Sequence, residues 1–194
     1  HRDLHSFPTR RSSDLARYGR NLRGLILSGS PGENSAAGVG VFLTKISALA
    51  HGGEHGKSKV LDNMVNGGFR KRFPGGSSFA WLSANEANVA AYEADPLCGF
   101  PFTINGYRAL LKLMQAAYDK KAPIPPEVPV YFMSGADDPC APNRAGFDNA
   151  MQNLRDRGSK DVSGIMFPGL RHEIFNENAP QVVEELITKL DSWL

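Results

Sequence analysis

Short unbroken apolar runs stand at both ends of the 194-residue chain, and helix-spaced apolar positions fill the stretch between them. Asn21-Leu22-Arg23-Gly24-Leu25-Ile26-Leu27-Ser28-Gly29-Ser30 is short, apolar and closed by small turn residues, as a buried parallel strand is. Val128 to Met133 forms a second such run and Ile165-Met166-Phe167 a third, with a helical segment ending at Gly158 between them. Ala37 to Ala50 carries Val41, Phe42, Ile46 and Leu49 near helical spacing. Lys57 to Asn66 reads as a short amphipathic helix ended by Gly67-Gly68, followed by a basic, Gly-rich loop over Phe69 to Ser78. Ser83-Ala84-Asn85-Glu86 matches a capping box, and the helix it starts should stop at Asp95-Pro96. A further helix is expected from about Ile104 to Tyr118. The last helix has Asn178 as its expected cap, Pro180 in its first turn, and Val183, Leu186, Ile187 and Leu190 as its apolar face. Strand-helix-strand grammar at both ends, with about a hundred strand-free residues between, predicts an α/β parallel sheet flanked by helices and carrying a helical insertion.

The second strand runs into Ser134-Gly135-Ala136-Asp137-Asp138-Pro139, and the third into Pro168-Gly169-Leu170-Arg171-His172-Glu173. Side chains just past the carboxyl ends of neighbouring parallel strands face one crevice, where open α/β sheets bind ligands. A carboxylate and an imidazole brought together there can move a proton for a nucleophile: the acid fixes the tautomer and stabilises the cation. Alone, Asp138 before a proline is ordinary turn chemistry and His172 an ordinary loop histidine. Their order and their placement at strand ends favour the catalytic reading.

Composition narrows the function classes. The 41% hydrophobic and 22% charged content fits one globular domain, and a net charge of +2 gives no electrostatic case for nucleic acid. Cys98 and Cys140 show neither metal-ligand spacing nor disulfide-framework density, so a reducing, cytoplasmic setting is the default. No apolar run is long enough to span a membrane. Residues 1–15, His1 to Leu15, have no apolar periodicity and look like the translation of a sequencing-library adapter, so they are expected to lie outside the fold.

The run from Asn21 to Ser30, the Ala94-Asp95-Pro96-Leu97-Cys98-Gly99-Phe100 segment, the Ser134-Gly135-x-x-Asp138-Pro139 turn and the Phe167-Pro168-Gly169-x-Arg171-His172-Glu173 turn together resemble the α/β-hydrolase superfamily. The resemblance is to its monoacylglycerol lipase and lysophospholipase branch, often grouped with serine aminopeptidases, and it runs from about Ala16 to Leu194. It implies hydrolase core at residues 16–30 and 105–194, with a helical cap at 31–104. It also implies Asp138 as triad acid, His172 as triad base, a small-molecule acyl ester as substrate, and no metal or organic cofactor. Phe100 and Phe102, in an apolar loop, are candidates to line an acyl pocket, and Trp81 either lines it or holds the cap together. One departure stands out: the superfamily carries its nucleophile in a Gly-x-Ser-x-Gly elbow or a close variant, and no serine here has glycine at both −2 and +2. In the superfamily that elbow precedes the first strand, so the resemblance implies that the serine lies upstream of Ala16 and that this chain alone is inert. The rival readings are an aminopeptidase-like amide hydrolase and a non-catalytic binding protein of the same fold; the sequence does not address oligomeric state.

Two local matches are expected to be decoys. His51-Gly52-Gly53-Glu54-His55 fits a zinc-protease pattern that needs a helix, and its two glycines disfavour helix by about 1 kcal/mol each. Gly56-Lys57-Ser58 lacks the first glycine of a phosphate-binding loop. Arg70, Lys71 and Arg72 read as a solvated loop, and Cys140 as a passive small residue.

Overall fold

The computed structural model describes residues 15–16, 18–141 and 143–194. Three parallel strands form the sheet in the order β1 (Leu25–Ser28), β2 (Val130–Gly135), β3 (Val162–Phe167). Their register pairs Leu25 with Val130 and Val130 with Val162. Among the described residues the helices that accompany them are α1 (Ala37–Ala50), α2 (Lys59–Arg70), α3 (Glu86–Ala94), α4 (Ile104–Ala117), α5 (Arg144–Asp156) and α6 (Pro180–Asp191).

Alternation along the strands sends side chains to opposite faces, and each face finds its own cover. Leu25, Leu27, Val130, Phe132 and Val162 pack on one face with Phe147, Ala150, Met151 and Leu154 of α5. Tyr131, Met133 and Phe167 pack on the other with Val182 and Leu186 of α6 and with Trp193. That double cover explains why β2 is buried along its whole length and reads as a continuous apolar run.

Between β1 and β2 the described chain is helical, as the pattern predicts. Helices α1 and α2 pack on α4, around Leu61, Ile104 and Tyr107. At its far end α4 is tied back to the sheet core, because the Arg157 guanidinium donates to the carbonyls of Ala117 and Ala122.

Five local expectations need correction. Leu15 is only 1% exposed and sits in the core cluster with Leu25 and Leu27, so it belongs to the fold; residues 1–14 lie outside the described residues. Helix α2 does not end at Gly67-Gly68 but runs through them to Arg70, whose guanidinium pairs with Asp62 two turns back. That extension also takes Phe69 and Arg70 out of the expected loop. Asn85, not Ser83, caps α3 by accepting from the Ala87 amide. Asn178 does not cap α6, whose first turn follows Ala179 with no side-chain cap. On α6 the face turned to the sheet holds Val182 and Leu186, while Val183, Ile187 and Leu190 are exposed.

The zinc-protease pattern falls in a loop, as expected. His51 to His55 is a loop beyond the end of α1, with Gly52 and Gly53 at φ of +75° and +93°. Glu54 is engaged by the Arg108 guanidinium rather than by either histidine.

Candidate active site

Strands β2 and β3 end side by side, and the loops that leave them are laced together. The Ala136 amide donates to the Phe167 carbonyl and the Asp137 amide to the Leu170 carbonyl. Gly135 permits this approach: a Cβ there would lie 2.2 Å from the carbonyl oxygens of Leu170 and Arg171. Any side chain at 135 would push the histidine loop off the acid loop.

Asp138 and His172 meet at this junction. The Asp138 side chain is fully buried and that of His172 is 25% exposed, with His172 Nδ1 2.9 Å from Asp138 Oδ2. A carboxylate only accepts, so Nδ1 carries the proton and donates it to Oδ2, which leaves Nε2 as the basic nitrogen. The second oxygen, Oδ1, accepts from the Cys140 amide at 2.8 Å, so the turn itself orients the carboxylate. Asp137, the neighbouring acid, points to solvent as an exposed residue.

Electrostatics favour the imidazolium. Burial opposes the His172 cation, but the Cys140 sulfur and the Asp138 carboxylate outweigh it and hold the pKa well above its ordinary value. Burial pushes the Cys140 thiol up as well. Such a histidine accepts a proton readily and gives it back to a leaving group.

β1 supplies the third wall. Gly29 follows it at φ +59°, and a Cβ at that position would stand 2.9 Å from His172 Cε1 and 3.0 Å from Nδ1. Only glycine both adopts that conformation easily and leaves the ring its place.

The helical segment closes over the histidine loop. Trp81 stands beside the imidazole, ring centroids 5.3 Å apart, and packs in turn on Phe69 at 5.0 Å. The Arg171 guanidinium lies 3.9 Å from the centre of the Phe73 ring and donates to the carbonyls of Ala80 and Ser83. Glu177 answers from the other direction, accepting from the Ser83 hydroxyl and from the amides of Ala84, Asn85 and Arg171. Phe100 and Phe102 pair with each other at 6.3 Å, and Phe102 leans on Tyr107 at 5.5 Å. Phe100 remains 55% exposed.

Sequence reasoning named Asp138 and His172, weighed Trp81, and set Cys140 aside. Glu177 and Gly29 escaped it: their roles depend on contacts with distant segments that no local spacing announces. Among the described residues no serine hydroxyl is hydrogen-bonded to His172. No helix among the described residues is long and apolar enough to cross a membrane.

Comparison with known proteins agrees with this architecture. The family model for serine aminopeptidase, S33, matches residues 13–179. Curated protein sequences give no match. Among solved structures, a thermostable carboxyl esterase from Bacillus coagulans in complex with glycerol superposes with a TM-score of 0.77 at 24% identity, over 95% of this chain and 61% of its own. A lipase in its open form gives 0.80 at 22%, over 96% and 62%. A monoacylglycerol lipase from Paleococcus ferrophilus gives 0.65 at 17%, over 96% and 65%. The chain thus spans less than two thirds of the length of these structures, and at such identities the likeness is one of fold.

Proposed function

The chain belongs to the serine aminopeptidase, S33, family of α/β-hydrolases, and on that premise we propose that it is the acid- and base-bearing part of a serine hydrolase of carboxylic esters. The observation that carries the reading is the hydrogen bond from His172 Nδ1 to the buried carboxylate of Asp138. In this proposal a serine in a segment upstream of the hydrolase core attacks the ester carbonyl. His172 takes its proton through Nε2 and returns it to the leaving alcohol, while Asp138 holds the tautomer and stabilises the imidazolium. Two observations support an upstream serine. No serine in the sequence stands in a Gly-x-Ser-x-Gly elbow, and none among the described residues is bonded to His172.

The substrate is proposed to be a medium- or long-chain acyl ester such as a monoacylglycerol or lysophospholipid. In this reading the paired rings of Phe100 and Phe102 line the acyl site together with Trp81, the ring that stands beside the imidazole. Each buried methylene adds about 0.8 kcal/mol, so such a wall favours length.

The test is hydrolysis by the 194-residue chain and by a form extended with its upstream reading frame. The chain alone should hydrolyse neither short nor long acyl esters. The extended protein should, and His172→Ala should abolish the activity. Asp138→Asn should reduce it by about ten-thousandfold, the loss the same change causes in a chymotrypsin-like protease. Robust turnover by the 194 residues alone would place the nucleophile within them. An extended protein that prefers aminoacyl amides would be an aminopeptidase, the activity that the family's description carries. One with a non-nucleophilic residue at the elbow would be a binding protein on the same fold.

A further inference from the structure

Cys140 lies at the acid-histidine junction, and the proposed hydrolysis does not use it. Its sulfur, a carboxylate oxygen of Asp138 and a ring nitrogen of His172 all lie within 4.8 Å of one another. Among the described residues these three form the only such cluster of potential metal ligands. We propose that Asp138, Cys140 and His172 form a binding site for a borderline-soft divalent cation of the zinc class, and that its occupation switches the histidine off. The second half rests on the hydrolase reading above; the first does not.

Ligand chemistry points to this class of cation. Zinc takes thiolate sulfur at about 2.3 Å, imidazole nitrogen at about 2.0–2.1 Å and carboxylate oxygen at about 2.0–2.2 Å, in a tetrahedron. Those bond lengths separate neighbouring ligand atoms by about 3.3–3.6 Å, so the observed 2.9 Å nitrogen-oxygen contact must open slightly and the sulfur close in. Magnesium and calcium want oxygen donors, and a set with one carboxylate among nitrogen and sulfur suits them poorly.

Charge also balances. A thiolate, a carboxylate and a neutral imidazole around a divalent cation sum to zero, which is the condition for keeping such groups in a partly buried site. On binding, the thiol proton passes to solvent and, where Nδ1 ligates, the ring proton moves to Nε2, so the imidazole stays neutral. Water takes the fourth position and reaches it past the exposed quarter of His172. The Cys140 amide bonded to Asp138 Oδ1 orients the carboxylate from behind, the kind of support that ligating carboxylates in metal sites have. A cation held here draws His172 and Asp138 into its own shell, so the ring no longer orients on the acid and cannot relay a proton.

The experiment is a titration of the 194-residue chain with Zn2+ against a chromophoric chelator. One equivalent should bind. Cys140→Val and His172→Ala should each weaken that binding by at least about tenfold, since even supporting residues around a metal cost 10- to 100-fold. Cys98→Ser, and His51→Ala with His55→Ala, should leave it unchanged. A second readout needs no substitution: Zn2+ should protect Cys140 from alkylation, and a strong chelator should restore the reaction. Failure to compete with the chelator, binding unaltered by Cys140→Val, or alkylation of Cys140 at the same rate with Zn2+ present would each overturn the proposal. None of these readouts involves turnover, so they stand or fall apart from the hydrolase assignment.

Discussion

Strand β2 runs through the sheet with α5 covering one face and α6 the other, whereas α1, in the helical segment, leaves Phe42, Ile46 and Leu49 at the surface. The sheet side buries two clusters that meet across β2; the helical side buries one small cluster around Leu61, Ile104 and Tyr107. The two regions therefore serve the junction of Asp138 and His172 differently. Backbone geometry of the sheet side, at Gly135 and Gly29, decides where the acid and the imidazole stand. Side chains of the helical side, at Trp81 and the Ser83–Asn85 stretch, cover what has been placed.

The chain carries one tryptophan in each region, which lets the contrast be broken by experiment. Trp81 reports on the helical side and Trp193, packed on the cluster under α6, on the sheet side. Phe147→Ala removes a buried ring that stands edge-on to Phe132 and should cost about 3–5 kcal/mol. In urea, variants retaining only Trp81 or only Trp193 should then show the same lowered midpoint, because the helical side has no comparable core to fold on. Two separated transitions would mean that the helical segment is an independent unit.

Gly135→Ala should follow in size, at about 3 kcal/mol, because its Cβ meets backbone carbonyls that cannot rotate away. The His172 ring resonances should shift with it, as the loop carrying the imidazole is displaced. An unmoved His172 spectrum with unchanged stability would show that the two loops approach less closely than the structure has them.

How much of this was legible in the sequence differs between the regions for the same physical reason. On the sheet side, strand-end placement and chain order suffice to mark Asp138 and His172, since parallel strands deliver their following loops to one edge. Helix faces were harder. On α6 both Val182 with Leu186 and Val183 with Ile187 and Leu190 make apolar stripes, and periodicity cannot choose between them; the sheet takes the first. Gly67-Gly68 reads as a helix end because each glycine costs about 1 kcal/mol, yet the Arg70–Asp62 pair and the Phe69–Trp81 contact carry α2 past them. Ser83 looks like a cap with Glu86 as its partner, and its hydroxyl goes instead to Glu177, 94 residues away. Cys140 joins the junction through the direction its side chain takes from the turn, which residue type and spacing do not specify.

That distant carboxylate is the next handle. Glu177→Ala frees the Ser83 hydroxyl and the amides of Ala84, Asn85 and Arg171 and should cost about 1–3 kcal/mol. The loss should be read mainly by Trp81, with faster hydrogen exchange at Ala84 and Asn85 and little change at the β2 amides. Glu177→Gln, which keeps the acceptor oxygen but not the charge, should recover part of it. Equal loss of protection across both regions would mean that Glu177 supports the whole fold rather than the closure over His172.

The smallest expected effect sharpens the contrast most, because the same deletion is made on both sides. Thr103 caps α4 by accepting from the Gly106 amide at 3.1 Å, and Asn143 caps α5 by accepting from the Gly146 amide at 2.8 Å. Replacing either by alanine leaves one helix-end amide without its partner, a loss of about 1 kcal/mol. Helix α5 packs on the sheet through Phe147, Ala150, Met151 and Leu154, so its first turn cannot fray without loosening that cluster. Asn143→Ala should therefore lower the global unfolding free energy by nearly the full amount. Helix α4 begins in the helical segment, and the Ile104 and Asn105 amides are held by the carbonyls of Gly56 and Glu54, outside the sheet. Thr103→Ala should appear as faster local exchange at the start of α4, with a smaller change in the global transition. Identical global losses from the two substitutions would erase the distinction between a side that places the acid and histidine and a side that covers them.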